Sequence, residues 1–84
     1  MRTYLKLTNY LSEYIVYNHE NLTSISFWNN EQLTMEEFDN EEDLNERIER
    51  EYSRNEKVEV IDKKEFNEAY VAFTKKLNQL GKEL

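Results

Sequence analysis

Residues 22–38 read LTSISFWNNEQLTMEEF, and this stretch decides the fold. Its first half alternates Ile25 and Phe27 with serines, and its second half alternates Leu33 and Met35 with polar residues. Alternation with a period of two residues is typical of strands that bury one face. Two such runs around a short Asn-Asn-Glu segment predict a β-hairpin. One face of this hairpin is then apolar, and the other carries serine, threonine and glutamate.

The segment before the hairpin supports two interpretations. Leu7, Leu11 and Tyr14 fall at helical spacing, which predicts a helix near residues 3–12. The β-branched and aromatic run YIVY that follows favours a strand near residues 13–18. Together with the hairpin, that strand would form an antiparallel meander. Whether the whole segment is helix, strand or both stays open.

The segment after the hairpin predicts an acidic helix. Asp39 is placed to cap it, because a carboxylate accepts hydrogen bonds from the free amides of a first helical turn. Leu44, Ile48 and Tyr52 recur every four residues and give the helix a narrow apolar stripe. Two pairs of opposite charge stand at helical spacing in the same segment, Asp43 with Arg47 and Glu46 with Arg50.

The last third of the chain predicts a short strand and then a long helix. Val58, Val60 and Ile61 form the strand, and Asp62 with Glu65 forms a variant of the capping box that opens the helix. Six apolar residues of this helix follow at spacings of four and three: Phe66, Tyr70, Phe73, Leu77, Leu80 and Leu84. This seam either covers the sheet of its own chain or pairs two copies across a twofold axis.

These elements predict one α+β domain over residues 1–84: a small antiparallel β-meander, with a possible extra short strand, packed against two or three helices. The chain has no cysteine, so neither a disulfide nor a thiolate metal site is expected. No apolar run approaches the roughly 18 residues that cross a bilayer, and no charged and apolar leader opens the chain. The expected location is therefore the cytoplasm.

Negative charge is concentrated between residues 31 and 51. This stretch holds ten acidic and two basic residues, a net charge of −8, and the whole chain carries −7. Such a field attracts cationic surfaces and repels nucleic acid and anionic lipid. Helical carboxylates three or four positions apart also lie about 5–6 Å apart at Cβ, comparable to the phosphate spacing of a nucleic-acid strand. The candidate partner-binding residues are Glu36, Glu37, Glu41, Glu42, Glu46 and Glu49. The alternative is a solvated face that serves solubility.

Catalysis and metal binding find little support in the sequence. Adjacent acids point in different directions, and no pattern buries one of them to raise its pKa. His19 is the only histidine and is expected as a surface turn residue, with no partner to complete a metal or nucleophile set. Trp28 at the hairpin tip either covers the core, which we favour, or anchors a partner. We therefore predict no catalytic residue, metal ligand or cofactor, and we do not expect an enzyme.

The hairpin at Ile25–Phe38 and the acidic run Asp39–Glu51 that follows it resemble the organisation of small phage-encoded inhibitors. These include anti-CRISPR and antirestriction proteins, some of which imitate DNA. The resemblance extends over most of the chain, in size, acidity and the lack of cysteine and proline. Nuclease-inhibiting immunity proteins and antitoxins are similar in the same respects. The resemblance implies an inhibitor that acts in the host cytoplasm if it is phage-encoded.

Two functions follow as expectations. The first is an acidic inhibitor that blocks the nucleic-acid-binding groove of a basic partner, such as a nuclease, without binding nucleic acid or membrane itself. The second is an intracellular adaptor, antitoxin or immunity protein, or dimerisation module that binds through its C-terminal helix or Trp28. The protein would be a monomer or a homodimer. The salt dependence of partner binding distinguishes the two functions, because a complex driven by charge weakens at high ionic strength and an apolar complex does not.

Overall fold

Five strands and two helices form the part of the chain that the structure, a computed structural model, describes. This part is residues 1–28 and 32–83, without the side chains of Leu77 and of residues 79–83. The elements in chain order are β1 (Arg2–Thr8), β2 (Ser12–Asn18), β3 (Thr23–Trp28), β4 (Gln32–Glu37), α1 (Glu41–Arg54), β5 (Lys57–Ile61) and α2 (Lys63–Glu83). The α+β class and the extra short strand are confirmed.

The predicted helix near residues 3–12 is wrong, since β1 and a turn occupy this segment. Leu5 and Leu7 are fully buried and alternate with residues that face the opposite side of the sheet, which is the period of a strand. The helical spacing of Leu7 and Leu11 was a coincidence, because Leu11 lies exposed in the turn between β1 and β2. Pairing with a strand on each side decides the conformation of β1, and that pairing involves residues distant in sequence.

The strands form one antiparallel sheet in the order β4-β3-β2-β1-β5. The first four follow one another as a meander, and the predicted hairpin is confirmed, with Phe27 opposite Leu33. Strand β5 joins the sheet only after α1 and pairs with β1, which places Tyr4 opposite Ile61. Strands β4 and β5 are therefore the two edges. The predicted turn at residues 29–31 lies outside the described residues.

The two helices cover opposite faces of this sheet. On one face Leu44 of α1 packs against buried side chains of β1 and β2: Leu5, Leu7, Ile15 and Tyr17. On the other face Phe66 and Phe73 of α2 pack against Phe27 and Ile61. Successive side chains of a strand point to opposite faces, so β1 and β2 contribute to both cores. The sheet is thus the middle layer of three.

Both helices begin at a capping side chain. The N–H of Asp43 donates to the Oδ1 of Asn40 at 2.8 Å, so the cap of α1 is Asn40 and the prediction of Asp39 is wrong by one residue. The cap of α2 is confirmed, because the N–H of Glu65 donates to the Oδ1 of Asp62 at 2.8 Å. An amide or carboxylate at this position satisfies an otherwise free donor of the first turn.

The inward faces of the helices differ from their predicted stripes. In α1, Leu44 is buried and Ile48 half-buried, but Tyr52 is exposed. In α2, Phe66 and Phe73 are buried, and Tyr70 is partly exposed with its ring centroid 5.7 Å from that of Phe27. The first half of the predicted seam therefore packs on the sheet of its own chain. Its remaining members, Leu77, Leu80 and Leu84, lie outside the described side chains.

Candidate binding surface and the cleft beneath it

The outward face of α1 carries a row of free carboxylates. Glu42, Glu46 and Glu49 are exposed and stand four and three positions apart, so their side chains leave the helix on one side. Within residues 1–28 and 32–83, none of the three has a basic group within 4 Å. We call these three residues the outer acidic row. Their carboxylates face solvent and form no ion pair with a described side chain, although Arg50 follows Glu49 directly in the chain.

Two further predicted contact residues flank the start of α1. Glu37 is exposed at the end of β4, and Glu41 is exposed in the first helical turn. The Oε1 of Glu41 lies 3.5 Å from the Nδ1 of His19, whose Nε2 shares a hydrogen bond of 2.8 Å with the Oγ1 of Thr3. Only 8% of the His19 side chain is exposed, so the expected surface histidine is instead packed between β1 and the acidic segment.

Glu36 is separated from the other five predicted contact residues. Its carboxylate receives both ends of the Arg47 guanidinium, from Nη1 to Oε1 at 3.0 Å and from Nη2 to Oε2 at 2.8 Å. The predicted pair of Arg47 with Asp43 is therefore wrong, because Arg47 turns under the helix toward the sheet. A two-pronged pair of this kind fixes geometry as well as charge. Glu36 thus anchors α1 to β4 through Arg47.

A polar cleft of about 280 Å³ opens beneath α1, over the part of the sheet formed by β2, β3 and β4. Three carboxylates and two guanidinium groups line it: Glu13, Glu36, Glu51, Arg47 and Arg54. Hydroxyl and amide side chains, including those of Ser26 and Thr34, complete the wall. The serine, threonine and glutamate face of the hairpin is therefore the face that α1 covers.

The carboxylates of the cleft experience unusual surroundings. Glu51 is only 8% exposed, and its Oε2 accepts a hydrogen bond of 2.9 Å from the Nδ2 of Asn55, the residue that ends α1. Burial, and then the negative charge of Glu51, raise the pKa of Glu13 above its ordinary value. Burial and the charge of Glu51 therefore both make the ionised form of Glu13 less favourable.

Tyr17 lies on the same face of the sheet, in the apolar cluster beneath α1. The side chain is fully buried, and its oxygen has no hydrogen-bond partner among the described residues. Burial raises the pKa of Tyr17, and so does the negative charge of Glu51. A buried hydroxyl without a partner costs free energy, because it has lost its bonds to water.

Sequence reasoning missed this cleft, although one signal for it was present. Glu51 follows Leu44 and Ile48 at spacings of four and three, so it belongs to the inward stripe that Tyr52 was expected to complete. A glutamate within an apolar stripe indicates a buried polar site. The serines of β3 gave no such signal, since a polar face of a hairpin is ordinarily solvated.

The opposite face of the sheet leaves apolar side chains uncovered at its β4 edge. Leu33 and Met35 are 46% and 69% exposed, and they lie on the same face as Phe27, beyond the reach of α2. Trp28 at the end of β3 is 41% exposed, so it does not serve as the lid of the core that we favoured, and its pairing with Glu13 places it on the α1 face of the sheet. We call Leu33 and Met35 the uncovered apolar strip.

Within residues 1–28 and 32–83, neither helix is both long enough and apolar enough to cross a membrane. No three histidine, cysteine, aspartate or glutamate side chains in those ranges are grouped so that they would hold a metal ion.

Similarity to known proteins adds no functional assignment. No protein-family model matches the chain, and neither a curated protein nor a solved structure matches it.

Proposed function

We propose that this chain is a non-enzymatic acidic inhibitor that blocks the nucleic-acid-binding groove of a basic partner protein, such as a nuclease. The outer acidic row carries the proposal: three exposed carboxylates stand on one helical face, and none of them forms an ion pair with a described side chain. Glu37 and Glu41 extend this surface toward the end of β4. The resemblance to phage-encoded inhibitors of anti-CRISPR and antirestriction type agrees with this function.

The physical basis is the geometry of charge. Carboxylates about 5–6 Å apart on a rigid helix offer a basic groove a series of anions like that of a nucleic-acid backbone. Because Arg47 is withdrawn to Glu36 beneath the helix, it does not neutralise the outward face. A surface of this sign accelerates the encounter with a cationic partner and repels competing nucleic acid.

The test begins by identifying the partner. The immobilised chain is used to recover proteins from a bacterial lysate, and each is then tested for simultaneous binding of the chain and of DNA or RNA. The proposal expects the chain and nucleic acid to exclude each other, with an affinity that falls steeply with salt. A partner that holds both at once would contradict groove blocking.

A charge-reversed variant assigns the effect to the outer acidic row. Glu42→Lys, Glu46→Lys, Glu49→Lys changes the net charge from −7 to −1 and should weaken binding by several kcal/mol, roughly the cost of lost ion pairs and new repulsion. The matched control is Glu20→Lys, Glu56→Lys, Glu68→Lys, which makes the same change at exposed positions outside α1. Equal losses in both variants would show that net charge matters and that the row does not.

The uncovered apolar strip favours a second function, an adaptor or dimerisation module. The described half of the C-terminal seam is occupied within the chain, so an apolar partner would meet Leu33 and Met35 instead. Both residues belong to β4, an edge strand along which another strand would extend the sheet. Binding that persists at high salt and is lost in Leu33→Ser, Met35→Ser would favour this function over the first.

A further inference from the structure

Strand β4 is an edge of the sheet that lacks the usual protection against further pairing. Among the described strands it pairs with β3 alone. Natural edge strands are commonly interrupted by a bulge or guarded by lysine or proline, which discourages the addition of another strand. The β4 sequence QLTMEE contains neither lysine nor proline, and its register with β3 runs without a break. The outer side of β4 is therefore a regular template for a further strand.

The hydrogen bonds to β3 determine which residues of β4 direct their backbone groups outward. The N–H of Phe38, the residue after β4, donates to the carbonyl oxygen of Leu22 at 2.8 Å. This pair continues the register of β3 and β4 by one residue. In an antiparallel pair, residues that bond the neighbouring strand alternate with residues whose N–H and C=O point away from it. Counting back from Phe38, the groups that point away belong to Leu33, Met35 and Glu37.

The same three residues place their side chains on one face of the sheet, because they stand two positions apart. Leu33 and Met35, the uncovered apolar strip, are 46% and 69% exposed. Glu37 is also exposed and forms no ion pair with a described side chain. The edge thus presents two apolar side chains and then a carboxylate, each beside an outward N–H and C=O.

We propose that β4 binds an extended segment of a partner protein, which adds to the sheet as a further antiparallel strand. The segment carries a basic residue opposite Glu37 and apolar residues opposite Met35 and Leu33. Because antiparallel strands run in opposite directions, the apolar residues follow the basic one by two and four positions. Backbone hydrogen bonds supply the affinity in this mode of binding, and the alternate side chains supply the selectivity. The inference rests on the second proposed function, in which β4 carries the partner.

Charge favours a basic segment over a second copy of this chain. Residues 31–51 have a net charge of −8, and pairing two β4 edges would bring two such segments together against their repulsion. In the symmetric register with Met35 opposite its own copy, Leu33 of one copy would face Glu37 of the other. An apolar side chain would then lie against a carboxylate. Opposite charges across neighbouring strands are favourable and like charges are not, so Glu37 selects a cationic side chain.

The test uses the full chain and the peptide Thr-Lys-Thr-Val-Thr-Val-Thr, with acetylated and amidated ends, which has the inferred pattern. A titration is followed by amide chemical shifts in NMR spectra. Saturable shifts are expected in β4 and in β3 beside it, and not in β5, the opposite edge. Shifts that never saturate, or that centre on β5, would overturn the proposal. Shifts in β4 on dilution of the protein alone would assign the edge to a second copy and would also overturn it.

Methylation of the peptide backbone distinguishes strand addition from a simple apolar contact. The first valine lies opposite Met35, so its N–H faces β4, and N-methylation there should weaken binding about tenfold or more, since a hydrogen bond is lost and the methyl group intrudes. The threonine between the two valines points its N–H away from β4. N-methylation of that threonine is the matched control and should leave the affinity unchanged. Equal affinity of the two methylated peptides would refute strand addition and leave the second proposed function standing.

A charge exchange tests the residue opposite Glu37. Glu37→Lys should weaken binding of the lysine peptide several-fold and strengthen binding of a peptide with glutamate in place of that lysine. Glu68→Lys makes the same change of net charge at an exposed position of α2 and should alter neither affinity much. Equal effects of the two variants would refute the assigned register.

The outer acidic row provides the last comparison, because it lies on α1 and carries the first proposed function. The variant Glu42→Lys, Glu46→Lys, Glu49→Lys should keep the peptide-induced shifts in β4. Loss of those shifts in this variant would place the peptide on the row and overturn strand addition. Failure of strand addition is thus separable from failure of groove blocking.

Discussion

The two sides of the sheet are covered by helices of opposite chemistry. Beneath α2 the contacts are aromatic: the Phe27 ring lies 5.0 Å from that of Phe73 and 5.4 Å from that of Phe66, between centroids. Beneath α1 the single fully buried apolar side chain of the helix is Leu44. Charged groups take the place of further apolar contacts, with Arg47 on Glu36 and a buried Glu51.

This difference separates stability from the candidate functions. Aromatic side chains bury large areas and gain further from ring contacts, so the α2 side should supply most of the favourable free energy. The half-buried ion pair of Arg47 with Glu36 and the buried carboxylate of Glu51 contribute little net stability after desolvation. The charged groups beneath α1 therefore add less to the free energy of unfolding than apolar side chains would in the same place. The outer acidic row, which carries the proposed function, lies on the α1 side.

The largest effect is expected on the α2 side. Phe73→Ala should lower the free energy of unfolding by about 3–5 kcal/mol, the usual cost of removing a buried phenylalanine ring. Urea unfolding followed by circular dichroism measures the change. Val71→Ala, at an exposed position of the same helix, is the control and should change little. Coincident curves for Phe73→Ala and the parent would show that the aromatic core is not what holds α2.

A smaller effect is expected at the start of α1. Asn40→Ala should cost about 1 kcal/mol, because the amide N–H of Asp43 loses its acceptor. Asp39→Ala is the matched control one residue earlier and should cost less. The same unfolding experiment compares the two variants. If Asp39→Ala were the more harmful change, the helix would begin one residue earlier than the structure places it.

A still smaller effect, of opposite sign, is expected in the cleft. The folded-state pKa of Glu13 lies above its ordinary value of 4.5, so ionising it disfavours the folded state once the pH exceeds that value. Glu13→Gln should therefore raise the melting temperature at neutral pH. The gain should vanish in acid, where both states of the parent are protonated. A loss of stability at neutral pH would mean that the ionised carboxylate is favourably held.

The smallest effect on stability is expected at the outer acidic row. Glu42→Lys, Glu46→Lys, Glu49→Lys should leave the free energy of unfolding within about 0.5 kcal/mol of the parent, as is usual for exposed positions. Thermal melts at low and high salt measure it, since salt screens any change in self-repulsion. A large loss would show that the row supports the fold and is not a surface reserved for a partner.

Local patterns predicted most of the fold. The alternation at Ile25 and Phe27 located β3, and the spacing of Phe66 and Phe73 located the buried face of α2. Strand β1 was missed because its conformation depends on pairing with β5, which is distant in sequence, and because the spacing of its own residues also fits a helix. The cap of α1 was misplaced because Asp39 and Asn40 are both capable acceptors, and only the chain path after β4 selects between them.

The candidate sites were predictable in unequal measure. Helical spacing alone placed Glu42, Glu46 and Glu49 on one exposed face. The withdrawal of Glu36 to Arg47 depends on how α1 lies over β4, which no local pattern encodes. The cleft depends on the same packing, because Ser26 is solvated in an isolated hairpin and buried only when α1 covers it.

The position of β5 beside β1 governs the order in which the chain folds. Strands β1 to β4 pair with their neighbours in sequence. The second edge of β1 is paired only when β5 arrives and Ile61 lies opposite Tyr4. Contacts between residues so distant in sequence form slowly, because a long loop must close first. Until then β1 is an open edge carrying Leu5 and Leu7, and such an edge readily pairs with other chains. A nascent chain in which β5 has not yet been synthesised thus exposes the edge of β1, which is prone to aggregation. In the folded protein β5 pairs with this edge.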